Sequence, residues 1–109
     1  MLLTVLDSNS IAQKLIVKAQ EAIVDVSGTI AVTGVAQTPA AASATRSGFF
    51  FQNLGLHDMW INDLGVATQA AGSILVPSRT SFSSDNYPVS TGAISVIGTA
   101  TDTFTLRTW

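Results

Sequence analysis

The stretch Arg46-Ser47-Gly48-Phe49-Phe50-Phe51-Gln52-Asn53-Leu54-Gly55-Leu56-His57-Asp58-Met59-Trp60-Ile61-Asn62 carries most of the fold information in this chain. Two aromatic-rich runs stand on either side of Asn53-Leu54-Gly55. Aromatic and branched side chains fill a pleated, half-buried surface, and Asn and Gly supply the positive φ of a tight reversal. The stretch therefore predicts a β-hairpin that opens a small all-β domain. Phe49 and Phe51 fall on one face with Phe50 on the other, because successive strand side chains alternate.

The same idiom continues downstream. Short apolar units at 48–53, 58–62, 73–76, 80–83, 93–97 and 103–109 are separated by Gly, Pro, Ser and Asp. Strands at that spacing predict a sandwich or barrel, and the fold class taken is all-β, a small antiparallel β-sandwich or jelly-roll-like domain. Phe104 and Leu106 alternate with Thr103, Thr105 and Arg107, so one face is buried and the other wet. No internal repeat is visible, which argues against a solenoid or propeller.

Upstream the reading is less uniform. Residues 2–6 read as a short strand ended by the turn formers Asp7-Ser8-Asn9-Ser10. Residues 11–26 read two ways. Ile11, Leu15, Ala19, Ala22, Ile23 and Val26 trace one face of a helix, with Ser10 and Gln13 spaced as a capping box. Against this, Leu15-Ile16-Val17 and Ile23-Val24-Asp25-Val26 are β-branched clusters that suit strands, and Val26-Ser27-Gly28-Thr29-Ile30 looks like a hairpin turn. Strand is the preferred reading. From 33 to 45 periodicity disappears and small residues dominate, with Pro39 unable to donate to a ladder. That segment reads as a linker or extended arm, dividing the chain into an N-terminal β arm and linker (1–45) and a β-sandwich domain (46–109).

A chain of 109 residues buries roughly 65% of its unfolded surface, so one core suffices without a metal or disulfide. Apolar residues make up 47% and charged residues 11%, the latter about half the usual share. The five bases are Lys14, Lys18, Arg46, Arg79 and Arg107, scattered against seven acids for a net charge of −2. No basic stripe is present to neutralise phosphates, so a nucleic-acid partner is not expected. The chain has no cysteine, hence neither a disulfide framework nor a thiolate site. Met1-Leu2-Leu3 lacks a basic n-region and Asp7 interrupts the apolar run. Neither a signal peptide nor a membrane span of ~20 residues is read from it, and a soluble chain with no membrane partner is the expectation.

Chemistry-bearing residues are sparse. His57 is the single histidine and reads as a solvated turn residue; beside Asp58 it forms at most part of a triad, and no G-x-S-x-G elbow accompanies it. Asp58 and Asp63 flank a strand, and Asp7, Asp25, Asp85 and Asp102 lie in turn sequences. Asp hydrogen-bonds its own backbone in turns, and that role outweighs a glycosidase pair or a calcium loop. Ser83-Ser84-Asp85-Asn86 is the best calcium candidate, but lacks the ligand spacing and closing Glu of an EF-hand loop. No catalytic, cofactor-binding or metal-ligating residues are assigned, and neither an enzyme nor a cofactor is expected. Phe50, Trp60, Tyr87 and Trp109 are the interface candidates, since aromatic side chains carry large buried area and are enriched where subunits meet.

Several segments carry a resemblance: Arg46-Ser47-Gly48-Phe49-Phe50-Phe51-Gln52-Asn53, Met59-Trp60-Ile61-Asn62-Asp63, Gly72-Ser73-Ile74, Tyr87-Pro88-Val89-Ser90-Thr91-Gly92-Ala93-Ile94-Ser95-Val96-Ile97-Gly98-Thr99-Ala100, and Asp102-Thr103-Phe104-Thr105 up to Trp109. Together they resemble small virion structural proteins of tailed bacteriophages, of the capsid cement or decoration kind. The similarity covers 46–109 well and 13–30 more loosely. It departs at Val76-Pro77-Ser78-Arg79, where the family often has a Pro-Gly turn; a wider reversal is expected there.

The resemblance implies an all-β virion subunit on the capsid exterior, assembled in the host cytoplasm. Its partners would be the major capsid protein or other virion proteins. Capsid symmetry in this class favours a homotrimer, and the arm would lie over an adjacent subunit. A neck, tail or fibre component is the alternative. A carbohydrate-binding module using Trp60, Tyr87 and Asp85 is the reading from another class.

Overall fold

The computed structural model describes residues 22–86 and 88–109. The readings at 2–6, at 7–10 and over most of 11–26, and the interface candidate Tyr87, lie outside them. The described part of the ambiguous segment contains a strand. The strands are β1 (Val24–Asp25), β2 (Gly28–Thr29), β3 (Gln37–Ala40), β4 (Phe49–Asn53), β5 (Met59–Asn62), β6 (Ile74–Val76), β7 (Ser81–Ser83), β8 (Ile94–Ile97) and β9 (Thr103–Thr108), with a 3-10 turn at Ser84–Asn86. All six units expected between 48 and 109 are present as β4 to β9.

Two antiparallel sheets result, ordered β1-β9-β4-β7, with β2 also on β9, and β3-β8-β5-β6. β1 and β2 lie along β9 in a single register, Val24 opposite Thr108 and Gly28 opposite Phe104. The hairpin expected at 26–30 is therefore replaced by one interrupted edge strand. The interruption is local: Val26 N–H still donates to Leu106 O at 2.8 Å, while Leu106 N–H turns to Ser27 Oγ at 3.0 Å. Ser27 Oγ in turn donates to Asp25 Oδ1.

With β1 and β2 counted as one strand, the order is that of a jelly roll. The chain is a single long hairpin whose legs pair as β1/β2 with β9, β3 with β8, β4 with β7 and β5 with β6. Successive pairs wind into alternate sheets. This overturns the hairpin reading of 46–62, since β4 and β5 belong to opposite sheets and residues 54–58 form an arch between them. A hairpin would line both apolar rows along one face of one sheet. The arch instead sets Phe49 and Phe51 against Met59 and Ile61, all four 0–1% exposed. Between them Phe51 and Phe104 stack with ring centroids 5.5 Å apart, and each buried aromatic of this kind contributes about 1.5–3 kcal/mol.

Two further expectations are corrected. Residues 37–40, read as part of a linker or extended arm, form β3 on β8, so the sheets take strands from both sides of residue 45. Pro39 is tolerated because β3 is an edge strand with an irregular register, where a missing N–H costs no ladder bond. The reversal at 77–80 is tight rather than wide: Thr80 N–H and Oγ1 both donate to Pro77 O, at 3.1 and 2.7 Å. Arg79 there takes φ of 64°, a left-handed conformation that glycine adopts more readily than a residue with a Cβ.

The sandwich has two ends. One gathers the arch 54–58, the turn 77–80 and the loop 98–102. The other gathers Gly48, Trp109 and the loops 41–47, 63–73 and 88–93.

Candidate functional site

At the arch end, Asn53 organises the crossing. It is fully buried; its Nδ2 donates to His57 O at 2.8 Å and to Val76 O at 3.0 Å, and its Oδ1 accepts from Gly55 N–H at 2.8 Å. The arch thus exposes His57, whose partner is Asp102 and not the neighbouring Asp58. Nδ1 of His57 lies 3.0 Å from Asp102 Oδ2, which also accepts the His57 backbone N–H at 3.1 Å. Partial burial pushes the Asp102 carboxyl up, but the hydrogen bonds from His57 outweigh it and hold the group below its ordinary value. Asp58 accepts instead from Ser78 N–H at 3.3 Å.

Asp58 and Asp63 sit at opposite ends of β5. Five residues of extended chain separate their Cα atoms by ~17 Å, well beyond the ~9.5 Å limit for an inverting glycosidase pair. In the calcium candidate, the Ser84 hydroxyl is buried and accepts Phe49 N–H at 2.8 Å, an anchor between the 3-10 turn and β4. Among the described residues no group of three or more His, Asp or Glu side chains gathers in ligating geometry.

At the opposite end the organising residue is Arg46, only 8% exposed. Its Nη1 donates to Ser90 O and Gly92 O and its Nη2 to Ala41 O at 2.7 Å, so one guanidinium ties the loop before β4 to the loop before β8. Nε is buried without an acceptor. Desolvation lowers the Arg46 pKa, and the charge of Asp63 offsets part of that. Arg46 is the sole charged residue between Asp25 and Asp58, the one signal that could have singled it out. Asp102 carried no such signal, because its partner lies 45 positions away.

The interface candidates do not converge. Phe50 is half-buried on the outer face of the first sheet, opposite Ser83 and Arg107. Trp60 is half-buried on the outer face of the second, between Leu75, which is 42% exposed, and Ile97. Trp109 closes the Arg46 end by packing its indole on its own Gly48: a Cβ built there would lie 2.6 Å from the ring. Backbone bonds join the same pair, Gly48 N–H to Trp109 O at 3.0 Å and Trp109 N–H to Gly48 O at 3.1 Å. Of the sugar-site residues, Trp60 lies on the second sheet, whereas Asp85 lies in the 3-10 turn that follows β7 of the first.

What these surfaces offer is contact rather than enclosure. The outer face of the first sheet presents Phe50 beside Arg107, among Gln52, Ser81, Ser83, Thr103 and Thr105; that of the second presents Trp60 with Leu75 and Ile97. The chain matches no known protein family, no curated protein and no solved structure.

Proposed function

We propose that this chain is a non-enzymatic structural subunit of a tailed-phage virion, most specifically a capsid cement or decoration protein that clamps neighbouring capsomers. The observation that carries the reading is that both outer faces of the sandwich bear half-buried aromatic side chains, Phe50 and Trp60, where charge is sparse and balanced: Phe50 stands beside Arg107, which lies opposite Asp25, and Trp60 stands beside Leu75 and Ile97. A subunit packed among symmetry-related neighbours gains from such faces, which associate without electrostatic repulsion. The resemblance of residues 46–109 to small phage virion proteins supports the same reading. The jelly roll is compatible with it, being used by viral capsid proteins, but also by lectins, so the fold alone does not choose.

The test is the copy number of this chain relative to the major capsid protein in purified virions, measured by quantitative mass spectrometry on intact, emptied and tail-stripped particles. Hundreds of copies retained on tail-stripped heads support the cement role. Copies numbering in the tens or fewer and lost with the tail transfer the protein to the neck, tail or fibre. Absence from the particle removes the virion reading and favours sugar binding through Trp60, tested by glycan titration of Trp60→Ala.

A further inference from the structure

Beside Trp109, the Arg46 end of the sandwich keeps a cavity. Phe104 and Leu106 are buried along the inner face of β9, and Thr108 continues their row by alternation, with Val24 opposite it on β1. Thr108 is only half-buried, because the row here runs out of the core. A space of about 220 Å³ opens where Val24, Thr108 and Trp109 meet the loop 41–47. The mouth of a β structure is a common place for a ligand, and this volume lies below the ~300–1,000 Å³ of a drug-sized site. It suits one small ring rather than a nucleotide or an extended chain.

The loop brings the polar groups. Ser43 N–H donates to Thr91 O at 2.8 Å and Arg46 N–H returns to Ser43 O at 3.3 Å. Both are fixed in this way, and the Ser43 and Thr45 hydroxyls stand 3.4 Å apart among the lining side chains. Arg46 supplies the wall's single full charge. Its hydrogen bonds all go to carbonyl oxygens, of Ala41, Ser90 and Gly92, and among the described residues no carboxylate forms an ion pair with it. Three of its five N–H groups are thereby used, which leaves one on Nη2 and the one on Nε, buried without an acceptor. The guanidinium is short of both acceptors and counter-charge, a costly condition for a buried ion. Its lowered pKa has the same origin in burial, and the charge of Asp63 makes up only part of the deficit.

We infer that this cavity binds a single hexuronic acid residue, its carboxylate set against Arg46 and its hydroxyls against Ser43, Thr45 and Thr108. Val24 and Trp109 complete the wall with apolar surface for the C–H groups of the ring. One positive charge matches a carboxylate better than a phosphate dianion. The other described bases stand elsewhere, Arg79 in the turn at the arch end and Arg107 on an outer face opposite Asp25. The site is separate from Phe50 and Trp60, takes nothing from the virion reading, and is tested on the purified full chain without particles.

The chain has two tryptophans, so in a Trp60→Phe background the emission of Trp109 reports the cavity. That chain is titrated with D-glucuronate and D-galacturonate, and calorimetry on the unsubstituted chain reads the same binding. The expected result is saturable binding of at least one uronate in the millimolar range, weakened more than tenfold for glucose, galactose and the uronate methyl esters, which keep the ring and lose the charge. Val24 is 52% exposed at a sheet edge and tolerates replacement. Val24→Glu sets a carboxylate of the chain's own against Arg46 and abolishes binding, whereas Val24→Gln retains it. Trp60→Ala leaves uronate binding unchanged. The inference is overturned if neither uronate saturates, if the methyl esters bind as well, or if Val24→Glu binds like the parent or no worse than Val24→Gln. Loss of binding in Trp60→Ala alone overturns it in favour of the outer face. Competition by acetate or an acidic peptide as strong as that by uronate overturns the sugar assignment, since the cavity then reads a carboxylate alone. Uronate binding by a chain absent from virions would sustain this inference while removing the virion reading.

Discussion

Asn53 is the residue on which the arch depends, and replacing it separates hydrogen bonding from volume. Asn53→Ala leaves His57 O, Val76 O and Gly55 N–H without the partners they have at 2.8 to 3.0 Å. Each unsatisfied buried group costs about 1–3 kcal/mol. Water entering the vacated space recovers part of this, so the net loss is about 3 kcal/mol. For a domain of this size each kcal/mol moves Tm by about 4–8 °C, which places the variant ~12–24 °C below the parent. Asn53→Asp keeps the shape and removes both donors, putting a carboxylate against two carbonyls. It loses at least as much as Asn53→Ala at neutral pH and recovers in acid, where a protonated carboxyl regains one donor. Thermal unfolding followed by near-UV circular dichroism, with urea titrations for ΔG, reads both variants. If Asn53→Ala melts within ~4 °C of the parent, or Asn53→Asp is insensitive to pH, the side chain is not what holds the arch.

Three other outcomes are expected. The folded Asp102 pKa lies below its ordinary value of 3.8, so its contribution to stability is present above that value and is lost as pH falls through the lower, folded one. Urea midpoints of the parent should therefore drop faster below about pH 4 than those of Asp102→Asn, and parallel curves would refute the pairing with His57. Gly48→Ala places a methyl where the Trp109 indole lies; in a Trp60→Phe background it should red-shift the remaining tryptophan emission, and an unchanged spectrum would show that the ring packs elsewhere. Trp60→Ala should reduce particle attachment, read by co-sedimentation with capsids, by more than tenfold while costing the isolated fold only about 1–2 kcal/mol, because the side chain is half exposed on an outer face.

Strand positions from 48 onward were legible because alternation is a local property. Phe49, Phe51, Phe104 and Leu106 announce their buried face within a few residues of one another, and β4 to β9 fall where that pattern puts them. Pairing was not legible in the same way. Asn53-Leu54-Gly55 carries the chemistry of a hairpin turn, and Asn53 does bond locally to Gly55 and His57, yet it also bonds Val76 O on a strand 23 positions away, and no local pattern encodes that. β3 was missed for a related reason. As an edge strand with Pro39 and an irregular register it needs neither strong alternation nor a full set of donors, so its residues resemble a linker. The candidate site divides along the same line: Phe50 was visible as the member of its strand opposite Phe49 and Phe51, the outward side of Trp60 was not read from its short strand, and Arg46 and Asp102 act through partners more than 40 positions away.

The sheet-crossing arch also bears on how such a domain would meet its neighbours. Had β4 and β5 formed a hairpin, Phe50 and Trp60 would project from the same sheet and define one sticky face, suited to an isologous pair. The jelly-roll winding sends them out of opposite faces, so no single contact covers both aromatics on one copy. A subunit with an aromatic side chain on each of two opposite faces is covered on both only by neighbours that approach from two directions, which the proposed place among capsomers would supply. The prediction that separates this from a merely sticky monomer is differential. Phe50→Ala and Trp60→Ala should each weaken capsid attachment, and the double variant should lose close to the sum of the two free-energy changes, since independent contacts are additive. A double variant no worse than the weaker single one would place both rings in one contact and contradict the two-faced arrangement.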